Sequence, residues 1–233
     1  MTKTDDSVDI KKTGRETFAR LDAFIQQKIS KSRDSFDKLV NAGAGGGRAL
    51  RKPFNYLGTF IEDAGVAAIH PSSKYLVARV VRAVERGRPR VIVEFGAAEG
   101  VMTKRILKGL APDGLLLAIE RNSNFYKGLA EIRDVRLRTA CGDVRDIKLI
   151  LGNMRIGRAD CFVSGIPFSF LSPAERSALI HQVYCRLPRG GRFVAYQCTT
   201  HLIPLLRKRF QRVKVELEIR NMPPHFVFTA IKE

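Results

Sequence analysis

Apolar positions recur along this chain with two different periods. Between residues 14 and 40, Phe18, Leu21, Phe24, Ile25, Ile29, Phe36, Leu39 and Val40 fall mostly on one stripe at about 100° per residue, while Arg15, Arg20, Lys31, Arg33 and Lys38 fall elsewhere. That spacing predicts an amphipathic helix with a basic polar face. Residues 42–47 (Ala-Gly-Ala-Gly-Gly-Gly) read as a flexible hinge; they follow a helix, not a strand, so they are not read as a phosphate loop. Residues 54–86 suggest two short helices broken at Pro71. From residue 90 onward, strand-like apolar runs at 90–95, 115–119, 135–140, 159–164 and 191–197 alternate with helical patterns at 101–109, 123–131, 144–151, 173–186 and 201–209. Such alternation predicts a largely parallel α/β sheet. The end of the chain differs. Val213, Val215, Leu217 and Ile219 alternate with polar residues, Asn221-Met222-Pro223-Pro224 turns the chain, and the apolar run 226–231 closes it. This is a hairpin whose last strand runs antiparallel. The division follows as a helical extension with its hinge over 1–47 and one α/β domain over 48–233.

Composition adds a partner class. Lys and Arg number 41 against 23 Asp and Glu in 233 residues, a formal net charge of +18. That charge favours an anionic partner, either nucleic acid or a membrane surface. Cys141, Cys161, Cys185 and Cys198 have no metal-like spacing and read as reduced thiols, mostly in the core of a cytosolic protein. No apolar run approaches the ~20 residues that span a bilayer. The first residues lack the apolar segment of a secretory signal.

The chemistry begins where the first strand ends, in Val91-Ile92-Val93-Glu94-Phe95-Gly96-Ala97-Ala98-Glu99-Gly100. A strand that stops in a glycine turn before a helix leaves backbone N–H groups free and lets a nucleotide-like ligand approach closely. Glu120 ends the second strand, where an acid accepts from both hydroxyls of a ribose; Asp143 follows the third, where an acid accepts from an adenine amino group while the N–H of Val144 meets a ring nitrogen. Singly, each is a solvated strand end or a helix cap. Acids after three successive strands together point to a nucleoside. The form E-x-G-x-x-x-G resembles the first motif of the S-adenosylmethionine (SAM)-dependent methyltransferases of the Rossmann-like class. The resemblance implies SAM as cofactor, with Glu94 near its amino-acid end. Ala98 stands where a third glycine is usual, a departure that is mild if Ala98 keeps a negative φ.

The fourth strand leads into Ser164-Gly165-Ile166-Pro167-Phe168, a proline-aromatic loop at the sheet's carboxyl edge. Methylation of an amine needs the nitrogen lined up behind the methyl, an acceptor to hold its lone pair in line, and an aromatic face for the cationic product. The loop resembles the S-G-[LI]-P motif of bacterial phospholipid N-methyltransferases. Residues 65–73, Tyr196-Gln197-Cys198-Thr199 and residues 221–227 are similar to three further segments of that family, so the resemblance covers roughly residues 60–231. It implies a seven-stranded class I methyltransferase sheet that methylates an aminophospholipid, phosphatidylethanolamine toward phosphatidylcholine or a related aminolipid such as an ornithine lipid. The candidate catalytic residues on and around these segments are Ser164, Gly165, Pro167, Phe168, Tyr196 and His70, with no metal. His70 and Thr200 depart from the family's pattern. Candidates to receive the proton or orient the amine are Tyr196, His70, Glu99 and the Ser164–Gly165 backbone.

Two other readings stay open. Ribosomal RNA adenine dimethyltransferases share this fold and carry N-[LI]-P-[YF] at the loop; here Gly165 stands where their Asn accepts from the adenine, though +18 suits RNA. A SAM-binding protein without catalysis is the third. The helix at 14–40 matches an interfacial membrane helix and equally a helix packed on the domain. Lys104-Arg105 and Arg207-Lys208-Arg209 read as solvated faces. The expected location is the cytoplasmic side of the cell membrane, at its surface.

Overall fold

The computed structural model describes residues 72–221 and 223–233. The 14–40 helix, the glycine hinge, the 47/48 boundary, the first of the two short helices and His70 lie outside the described residues.

Within them the chain alternates as its apolar periods predict. The elements are α1 (Lys74–Glu85), β1 (Val91–Phe95), α2 (Val101–Gly109), β2 (Leu115–Glu120), α3 (Ser123–Ala130), β3 (Leu137–Cys141), α4 (Ile147–Asn153), β4 (Cys161–Ser164), α5 (Pro173–Arg186), β5 (Arg192–Gln197), α6 (Leu202–Arg209), β6 (Arg212–Glu218) and β7 (His225–Ile231). Short 3-10 turns stand at Val144–Asp146 and Phe168–Phe170. The sheet order is β3-β2-β1-β4-β5-β7-β6, parallel except for β7, which runs antiparallel between β5 and β6.

Central strands read as near-continuous apolar runs because both faces are covered: β1, β2 and β4 are buried along almost their whole length. Right-handed crossovers put α2 and α3, which join β1 to β2 and β2 to β3, on one face. The return past β1 to β4 and the crossovers beyond it then put α4, α5 and α6 on the other. On the α2 face, Leu76, Val80, Ile92, Ile106, Val163 and Val194 form one buried cluster that includes α1. The strand order reverses between β1 and β4, and that switch point opens the crevice where ligands bind in such sheets.

Boundaries moved where side chains cap the backbone. β3 starts at Leu137 rather than 135, because the Asp134 carboxylate accepts from the Arg136 N–H at 2.9 Å and forms a turn that leaves Val135 fully exposed. The 144–151 helix divides into a 3-10 turn capped by Asp143 and an α-helix from Ile147. The thiols are all free, but only Cys161 and Cys198 are buried; Cys141 and Cys185 are exposed, the first on an edge strand.

Candidate active site

After Phe95 the chain turns through Gly96 (φ 72°), Ala98 (φ 47°) and Gly100 (φ 79°). The two glycines meet both a conformational and a spatial demand. A Cβ on Gly96 would lie 2.7 Å from Ile166 Cγ2, and one on Gly100 2.5 Å from Ile132 Cδ1. Ala98 does not keep the negative φ expected of it. A left-handed alanine costs about 1–2 kcal/mol, and the Glu120 carboxylate holds it there. The Ala98 N–H donates to Glu120 Oε2 at 2.9 Å and the Asn122 N–H to Oε1 at 2.8 Å. Ala98→Gly is expected to stabilise the protein by about 0.5–1 kcal/mol once the glycine's freer unfolded chain is subtracted. Thermal unfolding checks this: the midpoint should rise by about 2–4 °C, and a fall would mean that the methyl group packs usefully.

Glu120 therefore closes the turn with one lone pair on each oxygen. The remaining lone pairs are available to ribose hydroxyls. Asp143 is likewise engaged: it accepts from the Arg145 N–H at 2.9 Å and from Arg145 Nη2 at 2.8 Å. The guanidinium of Arg145 holds the Asp143 carboxyl below its ordinary range. Asp143 caps the 3-10 turn and has lone pairs left over. Val144, whose side chain is buried, opens the 3-10 turn, so its N–H has no intrahelical acceptor.

Glu94 is the most unusual group. Its side chain is 1% exposed on the face of β1 toward α2. Thr103 Oγ1 donates to Oε2 at 2.6 Å, while Oε1 is buried without a partner. Burial first, with the nearby Glu120 charge adding, pushes its carboxyl up to about 7, against the lowering pull of Thr103. An orphaned buried carboxylate oxygen beside a glycine turn fits the positive amino-acid end of SAM.

Gly165, Gly96, Glu94 and Tyr196 share this face. Gly165 sits beside Gly96, and its N–H donates to the Phe95 carbonyl at 3.0 Å. A Cβ on Gly165 would lie 2.4 Å from Tyr196 Oη, so the phenol lies directly over the loop. Burial and then the Glu94 charge hold the Tyr196 phenol well above its ordinary range. It stays neutral and cannot be an ionised base, but its oxygen can accept from an amine N–H. That hydroxyl has no hydrogen-bond partner among the described residues.

Two expected residues are turned elsewhere. Phe168 is 0% exposed and packs edge-on against Phe193, so its ring belongs to the core and offers no face to a cationic product; the 3-10 turn from Phe168 to Phe170 leaves Phe170 exposed instead. The Ser164 side chain points to the Phe95 face, buried and without a partner, away from Gly165 and Tyr196. Only its backbone lines the site. Pro167 is half-buried and starts that turn, and its carbonyl accepts from the Phe170 N–H at 3.1 Å. Glu99 is exposed.

The sequence reading gave no role to several residues that assemble the site. Gln197 Oε1 accepts from the Phe168 N–H at 3.2 Å and so pins the proline loop to β5. Asn221 Oδ1 accepts from the Ser73 N–H at 2.8 Å, joining the C-terminal turn to the start of α1 across 148 residues. Thr103 is the polar member of an otherwise apolar stripe with Met102, Ile106 and Leu107, which is a readable sign of a buried hydroxyl. Among the described residues no group of three His, Cys, Asp or Glu side chains comes together as a metal site.

No family model matches the chain. An ornithine lipid N-methyltransferase from Singulisphaera acidiphila is 33% identical over 179 residues, covering 73% of this chain and 91% of that protein. Among solved structures, the O-methyltransferase TomG from Streptomyces achromogenes, in complex with SAM, matches with a TM-score of 0.60 at 15% identity, over 85% of this chain and 96% of its own. The N-methyltransferase NodS from Bradyrhizobium japonicum matches with a TM-score of 0.56 at 13% identity, over 67% and 94%. These two share the Rossmann-like methyltransferase fold with this chain.

Proposed function

This chain belongs to the family of the ornithine lipid N-methyltransferase, and from that premise we propose that it methylates the amine of a membrane aminolipid, either phosphatidylethanolamine or an ornithine lipid. It is a SAM-dependent N-methyltransferase. The observation that carries the lipid reading is the 33% identity over nearly the whole of that relative.

When bound, SAM supplies an electrophilic methyl group on a sulfonium. The rest falls to this chain. Glu94 Oε1 would hold the cofactor's ammonium, Glu120 its ribose, and Asp143 with the Val144 N–H its adenine. A lipid ammonium must lose a proton before its nitrogen can attack. Tyr196 Oη and the Ser164–Gly165 carbonyl side orient the amine N–H groups, so the lone pair lines up with the methyl. The proton that the lipid ammonium gives up before attack passes to solvent at the mouth of the site, leaving the neutral amine for the methyl that bound SAM would supply.

A lipid amine is presented at a bilayer surface, so the mouth of the site has to meet that surface. Three exposed large apolar side chains, Tyr75, Phe170 and Ile219, stand on segments at the carboxyl edge of the sheet. Lys74 and Arg220 lie beside them, with cations 5.2 and 4.2 Å from the Tyr75 ring. Apolar tips among cations suit the interface of an anionic membrane. Among the described residues no helix is long and apolar enough to cross one. Attachment at the cytoplasmic surface, aided by the basic-faced 14–40 segment, completes the proposal.

The test presents SAM and the protein with vesicles containing phosphatidylethanolamine or ornithine lipid in separate tubes, with lipid products read by mass spectrometry. A methylated headgroup in either tube supports the reading and names the acceptor. Unmodified lipid in both, with SAM still bound, would sink it.

A further inference from the structure

A second concave surface lies away from the methyl-transfer site. A cavity of 540 Å³ opens between α2 and the segment joining α3 to β3. Lys104, Arg105 and Lys108 line it from α2, and Arg133 and Arg136 from the facing segment. The one carboxylate in its wall, Asp134, is already held by Arg136, through Nε at 2.9 Å and Nη2 at 2.7 Å. Lys104, Arg105, Lys108 and Arg133 are exposed and have no hydrogen-bonding or ionic partner among the described residues.

Helix structure accounts for Lys108, a cation in the last turn of α2, but not for the rest of this cluster. Lys104 and Lys108 stand one turn apart, where like charges repel, and Lys104 and Arg105 lie in the first half of α2, where the helix dipole disfavours cations. Arginine and lysine lining one cavity whose single acid is already paired are the chemistry that recognises phosphate. The floor is apolar: Val101 and Ile132 line the same cavity. Ile132 Cδ1 also lies 2.5 Å from the position a Gly100 Cβ would take. The cavity thus backs onto the turn that begins α2.

We propose that this cavity binds a phosphate ester, its anionic oxygens on Lys104, Arg105, Lys108 and Arg133 and its neighbouring carbons on Val101 and Ile132. The inference stands apart from the identity of the methyl acceptor. A phospholipid headgroup and a soluble phosphorylated molecule offer the same chemistry, and two probes separate them: phosphatidylcholine vesicles containing phosphatidylglycerol, and glycerol 3-phosphate in solution.

The experiment compares Lys104→Glu/Lys108→Glu with Arg207→Glu/Lys208→Glu, a control pair exposed in the last turn of α6 that removes the same net charge. Lys104→Gln/Lys108→Gln is carried in parallel in case charge reversal unfolds the protein. SAM affinity and thermal midpoint report that each variant is intact. The cavity variants should weaken binding of one probe by about tenfold or more while the control moves it by less than about threefold. Selective loss on vesicles identifies a lipid headgroup; selective loss with glycerol 3-phosphate identifies a soluble ligand. Equal losses in cavity and control variants would overturn the proposal, leaving only net charge. So would intact wild-type protein that binds neither probe.

Discussion

Gly165→Ala is expected to lower methyl transfer by on the order of 100-fold while SAM affinity stays within about threefold. The new Cβ would lie 2.4 Å from Tyr196 Oη and 2.8 Å from Cζ. Neither side yields easily. The loop backbone is tied to Phe95 through the Gly165 N–H and to Gln197 through the Phe168 N–H. Tyr196 sits mid-sheet between β4 and β7, packed against the buried cluster under α1. Relief therefore displaces the hydroxyl that would orient the amine, and a misplacement of about 1 Å suffices for the stated loss. Because both residues act through that hydroxyl, adding Tyr196→Phe should cost little more. Single-turnover rates and calorimetry with SAM check this. A parallel fall in SAM affinity would mean that the substitution disrupts the cofactor turn instead.

Glu94→Gln carries the second large effect, on pH dependence. Burial pushes this carboxyl up to about 7, above its ordinary 4.5. The folded state thus binds the proton more tightly than the unfolded chain. The stability from this group is fully present below 4.5 and is lost as pH rises through about 7. The loss is on the order of 3 kcal/mol, from about 1.36 kcal/mol per unit. The groups that face the carboxylate are the Thr103 hydroxyl, Glu120 and the neutral Tyr196 phenol. In Glu94→Gln this decline should vanish from denaturant titrations run across that window. SAM binding should move the other way. A cationic cofactor end favours the ionised carboxylate, so wild-type affinity rises with pH up to about 7 and then levels off, with a proton released on binding. The glutamine variant should bind SAM at least about tenfold more weakly at alkaline pH and release no proton from this site. A wild-type affinity that is flat across the window would remove Glu94 from the cofactor site.

The sheet was legible because its physics is local in sequence. β1, β2 and β4 are apolar over most of their length, β1 runs into Gly96, and β2 and β4 end at Glu120 and Ser164, so their ends and the crevice follow from the chain alone. The acids after three strands likewise reach one edge because parallel strands end together. What was not legible depends on contacts between distant segments. The sign of φ at Ala98 is set by a carboxylate 22 residues away. Phe168 turns into the core because a 3-10 turn and Phe193 receive it, which the proline-aromatic pattern alone does not decide. The tie from Asn221 to Ser73 links two motifs that the sequence presents as separate, and the unpartnered state of Glu94 Oε1 depends on everything packed around it.

On the proposed reading the amine methylated here belongs to a lipid. The most direct measurement incubates the full chain with SAM labelled on its methyl group, together with total lipid and total RNA from one bacterial extract, and separates the two fractions. Label is expected in the aminolipid fraction and is lost in Gly165→Ala. Label in adenine of the RNA, with none in lipid, would contradict it.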